Sequence, residues 1–140
     1  MWLPGHLKAL VKVSGQRDDG MNAIPHLSIE GEKFTALTLD MNVVMSFGTE
    51  GEFQLRIMEE EFELKLADSL ERTTVRFAAW STPPENVTGV TNLSTLINRT
   101  VTFAEISEIG ELRITFYGGA SLCVKPCGTY ESYTLVGGGR

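Results

Sequence analysis

Residues 43–66 of this chain recur as residues 112–135, and that repeat limits the possible folds more than any other feature. Val43-Val44-Met45-Ser46-Phe47 lies over Leu112-Arg113-Ile114-Thr115-Phe116 at an offset of 69 residues. Continued without a gap, Phe53-Gln54-Leu55-Arg56 falls on Leu122-Cys123-Val124-Lys125, and Leu64-Lys65-Leu66 on Tyr133-Thr134-Leu135. Upstream, Phe34 matches Val101 and Leu39 matches Ile106 at an offset of 67, the two-residue difference falling in a turn. Turns absorb insertions at little cost. The expectation is one β unit used twice, with most apolar residues committed to packing.

Apolar and polar residues alternate with the period of a strand. Leu7 to Val13 reads as a first strand and Ser14 to Pro25 as a loop. Phe34–Leu39, Val43–Phe47, Phe53–Ile57 and Phe62–Leu66 form the first set, with Glu63 and Lys65 pointing outward. Val101–Ile106, Leu112–Phe116, Leu122–Val124 and Tyr130–Val136 form the second. Val75, Phe77 and Ala79 predict a strand between the sets that corresponds weakly to Leu7–Val13, and Val90 to Ile97 predicts one short helix. Gly118-Gly119 predicts a two-residue hairpin turn, because adjacent glycines supply the positive φ such turns need.

The predicted fold is mainly β: a tandem duplication of an antiparallel hairpin or meander unit, packed as one small sandwich or barrel. Each half, about 27–66 and 94–135, is near the lower size limit for independent stability and offers one apolar face. The neighbouring half is the nearest cover, so 1–140 is expected to be a single domain. Residues 1–20 are read as loosely attached, and Met21 as an alternative start.

Formal charge is −6, and residues 49–71 carry all of it: eight carboxylates stand against Arg56 and Lys65. Nucleic acid is therefore not an expected partner. No apolar run reaches the ~20 residues needed to span a bilayer, and the N-terminus lacks the pattern of a signal peptide. A cytoplasmic location is the expectation, and the triplets at Asn86, Asn92 and Asn98 are not read as glycosylation sites. Cys123 and Cys127, spaced C-x3-C, are read as free thiols, since a zinc site needs further ligands.

No nucleophile–base set is visible, so the protein is not expected to be an enzyme, and no cofactor is implied. His6 and His26 lie outside the repeated strands. The densest polar cluster is Glu59, Glu60, Glu61 and Glu63. Its readings are a solvated connection whose like charges deter edge pairing, a surface for a basic partner, or a hard-cation site. Trp80 is a large amphipathic side chain. Tyr133 is expected in the core with its hydroxyl bonded, and Glu131 shares its register, so Glu131 with Tyr133 marks the first place to look for a ligand.

Gly110-Glu111-Leu112-Arg113-Ile114-Thr115-Phe116-Tyr117-Gly118-Gly119-Ala120-Ser121-Leu122-Cys123-Val124-Lys125-Pro126, followed by Tyr130-Glu131-Ser132-Tyr133-Thr134-Leu135, resembles the C-terminal part of a bacterial family catalogued as domain of unknown function 6188. Gly118 stands at that family's usual Asp and Tyr133 at its usual Trp, and Phe53, Leu55 and Ile57 match its extended first-half segment. The resemblance covers residues 27–137 and implies neither an activity nor catalytic residues. A looser similarity to small immunity proteins implies a toxin-neutralising partner interaction. The expected function is thus a non-catalytic binding protein that meets a basic partner. The alternative is a β-barrel or sandwich holding a small ligand.

Overall fold

The computed structural model describes residues 11–15, 24, 26–66, 72–78, 87–126 and 132–137. The strands are β1 (Val11–Gly15), β2 (Phe34–Leu39), β3 (Val43–Phe47), β4 (Phe53–Ile57), β5 (Glu61–Lys65), β6 (Arg72–Phe77), β7 (Val87–Thr88), β8 (Val101–Ile106), β9 (Leu112–Phe116), β10 (Ser121–Val124) and β11 (Tyr133–Gly137). One short helix, α1 (Val90–Ser94), precedes β8. It is shorter than the predicted 90–97, because beyond Ser94 the backbone tightens into turns, with Leu96 N–H donating to Leu93 O and Ile97 N–H to Ser94 O, before Asn98 takes a φ of 80°. β1 continues through Ser14 and Gly15, which the sequence assigns to a loop, because both pair with β11. Residues 1–10 and 16–23, Ala79, Trp80, Cys127, Tyr130 and Glu131 lie outside the described residues.

The strands form two antiparallel sheets that do not close into a barrel, a sandwich-like arrangement. One runs β1-β11-β4-β3-β2 and the other β7-β6-β5-β10-β9-β8. Strands β2-β3-β4 and β8-β9-β10 are meanders, as the alternation predicts. The fourth strand of each set then crosses over: β5 pairs with β10, and β11 pairs with β4. Apart from β7, each strand of one sheet has a counterpart at the same position in the other, and β6 takes the place that β1 holds.

The ladders correct the alignment of the halves. Met45 pairs with Leu55, and its counterpart Ile114 pairs with Leu122, so Leu55 rather than Phe53 is equivalent to Leu122. Leu64 lies beside Leu122 as Leu135 lies beside Leu55, which makes Phe62 rather than Leu64 the counterpart of Tyr133. A shorter hairpin in the second half causes the first shift. Tyr117-Gly118-Gly119, three residues rather than the expected two, turn the chain between Phe116 and Ala120, whose backbones are bonded, and both glycines have positive φ, as expected. The second shift runs the opposite way, because the connection from β10 to β11, residues 125–132, is longer than that from β4 to β5, residues 58–60. Each correction shifts the register by two residues, which leaves every side chain on its original face. The ungapped alignment therefore identified the core correctly while misaligning the strands.

Matching backbone bonds join the halves where β2 and β8 begin. Lys33 and Thr100, counterparts of each other, form an antiparallel bridge. Around it the bonds come in pairs. Gly31 N–H donates to Val101 O (2.8 Å) as Asn98 N–H does to Phe34 O (2.6 Å), and Val101 N–H donates to Glu32 O (2.8 Å) as Phe34 N–H does to Arg99 O (2.9 Å). Irregular pairing also recurs at the same place, between Phe34 and Ala36 and between Val101 and Phe103.

One buried cluster draws on both sheets, with Phe34, Met45, Phe47, Phe53 and Leu55 from one and Leu64, Ile114, Phe116 and Leu122 from the other. Phe34 and Phe116 touch across the halves with ring centroids 6.2 Å apart. Truncating a fully buried Leu or Ile of such a core to Ala costs about 2–5 kcal/mol.

Gly31 (φ 88°) and its counterpart Asn98 both hold left-handed backbone, which Gly adopts freely and Asn tolerates. A Cβ at Gly31 would meet nothing within 4 Å. Gly31→Asn should thus change stability by less than about 1 kcal/mol, whereas Asn98→Val should cost about 1–2 kcal/mol or more. Urea unfolding of the two variants measures both; equal stability of Asn98→Val and the parent protein would rule out a required left-handed turn.

Candidate functional site

The strand crossover assembles a surface that neither half has alone. On the outward face of the six-stranded sheet, register aligns Thr74, Glu63, Cys123, Arg113 and Glu105 in one row across five strands. The adjacent row is Arg72, Lys65, Ser121, Thr115 and Phe103. Apart from Thr74, these rows line an open depression of about 300 Å³ together with Glu111 and Lys125.

Two ion pairs hold four of its charged side chains, and Lys65, Glu105 and Lys125 complete the charged lining. The Arg72 guanidinium lies 2.7 Å from Glu63, and Arg113 Nε donates to Glu111 Oε1 at 2.7 Å. Glu111 is nearly buried, and its backbone N–H donates to Ser107 Oγ. That bond to Glu111 holds the Arg113 pKa above its usual range. Cys123 lies between Glu63 and Arg113 in the ladder. Burial, then the Glu111 charge, push its thiol up to about 11. A thiol held protonated at neutral pH is a poor nucleophile.

On the rim, the exposed His26 ring stands edge-on to Phe103 with centroids 5.9 Å apart. Its Nδ1 is 3.0 Å from Glu30, whose other role is to accept the Ala104 N–H at 2.9 Å. The Ala104 bond, followed by His26, lowers the Glu30 pKa from its ordinary value.

The residues singled out from the sequence are dispersed. Glu59 accepts a 2.6 Å bond from the buried Ser132 hydroxyl and thereby ties the end of β4 to the start of β11. Glu60 is exposed in the turn before β5. Glu61 lies 3.5 Å from Arg76, and Glu63 alone of the four reaches the depression. Tyr133 is fully buried as expected, and its hydroxyl donates to Gly110 O at 2.8 Å. That position removes it from any ligand surface. Trp80 and Glu131 lie outside the described residues.

Arg113, Glu111 and Cys123 were not anticipated as a group. Alternation does place Arg113 and Cys123 outward, but only the crossover of β5 brings Glu63 beside them. Among the described residues, no three His, Cys, Asp or Glu side chains are grouped so as to hold a metal ion, and no helix is long and apolar enough to cross a membrane.

A family of unknown function, DUF6188, matches residues 25–140. The chain belongs to that family. No curated protein and no solved structure matches it. The DUF6188 match takes in both meanders and both crossed strands, hence the whole depression. It leaves out β1, the edge strand beside β11.

The raised thiol pKa makes a prediction about alkaline behaviour. An unfolded thiol ionises near 9.0 and the folded one near 11. Stability from the protonated thiol is complete below the lower value and is lost as pH rises towards the upper one. Cys123→Ala should therefore reduce the stability lost between those pH values, with Tyr133, also shifted upward by burial, accounting for some of the remainder. Iodoacetamide labelling of Cys123, followed by peptide mapping, should be slow at pH 8 and accelerate towards pH 11. Fast labelling at pH 8 would contradict the burial of this thiol.

Proposed function

We propose that this protein is a non-catalytic, cytoplasmic bacterial binding protein built from one duplicated β unit, and that it docks a basic protein partner. The contact surface is the outward face of β5, β10, β9 and β8, continued at its corner by Glu60 and Glu61. The observation that carries this reading is the open depression on an exposed sheet. It offers a broad contact area, and its Cys123 thiol is held in the unreactive form. Its lining is close to neutral, Lys65, Arg72, Arg113 and Lys125 against Glu63, Glu105 and Glu111, so the attraction for a basic partner comes from Glu60 and Glu61 at its corner and from the charge of the whole chain. The charge of −6 would attract a basic partner at long range and favour rapid association. An immunity-type role, with a toxin as the partner, is the class suggested by the resemblance to immunity proteins.

A small-ligand reading rests on one observation: about 300 Å³ is at the lower end of the range of ligand pockets. That depression is on the outer surface, whereas Tyr133, one of the two residues expected to mark a ligand site, is enclosed by the core.

The two readings separate on the following experiment. The tagged protein captures its partner from its source cells, the partner is identified and purified, and calorimetry compares wild type, Glu60→Gln/Glu61→Gln and Thr115→Arg. The proposal expects a stoichiometric complex that weakens at least about tenfold with added salt and with Thr115→Arg, and less with the Gln pair. A complex indifferent to all three changes would reject this surface. A thermal shift with metabolites that Thr115→Arg abolishes, without any protein partner, would favour the ligand.

A further inference from the structure

Where the two halves differ, one sheet edge has no cover among the described residues. In the second half the edge strand β8 is capped by the chain itself. Ile24 and Ile106 exchange both backbone hydrogen bonds, at 2.7 and 2.8 Å, and Leu27 N–H donates to Ala104 O at 2.9 Å. The remaining outward donor, Ala104 N–H, is taken by the Glu30 carboxylate. By register, the counterparts of Ala104 and Ile106 on edge strand β2 are Leu37 and Leu39. The segment that would cap them is α1, which instead turns towards β6 over Gly89.

Leu37 and Leu39 therefore direct N–H and C=O groups away from β3. Among the described residues no partner meets those groups. The side chains show the same difference. Ala104 and Ile106 are 0% exposed, whereas Leu39 is 41% exposed and Leu37 is only partly buried. Phe34-Thr35-Ala36-Leu37-Thr38-Leu39 contains no charge and no proline, two of the protections an edge strand uses, and its irregular pairing, between Phe34 and Ala36, precedes the regular stretch Leu37–Leu39.

We propose that β2 pairs antiparallel with β2 of a second copy of this chain. The strand is self-complementary. With the two-fold axis at Thr38, Leu37 of each copy faces Leu39 of the other, and each such pair exchanges two backbone bonds as Ile24 and Ile106 do. No like charges oppose each other, because the strand has none. Each Leu39 gains a Leu37 beside it on the core side, which covers apolar surface now in water. The result is an isologous dimer with one continuous sheet through both copies. A contact limited to one strand edge is weak, so assembly depends on protein concentration. It leaves the outward face of the other sheet unoccupied, so the dimer and the partner interaction are independent.

The register specifies the test. Thr38 would face its own copy as a non-hydrogen-bonded pair, whose Cα separation of about 4.5 Å suits a disulfide. The full chain and its variants are compared by sedimentation velocity from low micromolar to millimolar concentration. Thr38→Cys in a Cys123→Ser/Cys127→Ser background is also oxidised. Wild type should shift from monomer to dimer as concentration rises, and Thr38→Cys should give a covalent homodimer on oxidation. Leu39→Pro removes one outward N–H without touching the ladder to β3, so it should stay monomeric while keeping its circular dichroism. A wild type that is monomeric throughout overturns the proposal. So does a dimer that survives Leu39→Pro and gives no Thr38→Cys cross-link. Should Leu39→Pro fail to fold, the cross-link alone decides: a covalent homodimer supports the pairing and its absence rejects it.

Discussion

Every other feature of this protein depends on the exchange of β5 and β11 between the two sheets. A three-stranded meander with one apolar face is marginal in water. Here each meander acquires its next strand from the other half, so neither sheet reaches its full width without both halves. The exchange also explains why the core is a single cluster and why Tyr133, on a crossed strand, can bond Gly110 in the turn between β8 and β9. Cutting the chain between the halves would divide both sheets.

Around the Lys33–Thr100 bridge the halves match closely, down to paired backbone bonds and the left-handed residues Gly31 and Asn98. The departures from that match are therefore informative. Where the first half has Ala36, the second has Phe103, with His26 against it. Ile97 stands where the first half has Glu30, the carboxylate that caps β8. Ile24 and Leu27 bond to β8, while their counterparts lie in α1, and among the described residues nothing covers β2. Both the His26–Phe103 contact and the uncapped stretch of β2 fall at these departures, since the shared inward positions are spent on packing.

The strands and their inward faces were legible because alternation is a local property: Phe62 and Leu64 inward with Glu63 and Lys65 outward needs only the residues themselves. The turn at Gly118-Gly119 was legible for the same reason. Partnership was not. Nothing in Phe62–Leu66 says that β5 will join β10 rather than β4, and so the row containing Glu63, Cys123 and Arg113 could not be foreseen. The two-residue misalignment of Phe53 and Leu64 went unseen because it preserves the pleat. The acidic run stood out by composition, yet the fold sends its members to different tasks, with Glu59 holding Ser132 and Glu63 holding Arg72.

The strand exchange can be tested by a single cross-link. Glu63 on β5 and Cys123 on β10 are direct register partners, within disulfide reach. Glu63→Cys, in a Cys127→Ser background and oxidised at low protein concentration, should give an intramolecular disulfide with Cys123 that peptide mapping locates. Gln54→Cys, on β4 in the other sheet, should give none. A bond from residue 54 to Cys123, or none from residue 63, would mean that the strands do not cross.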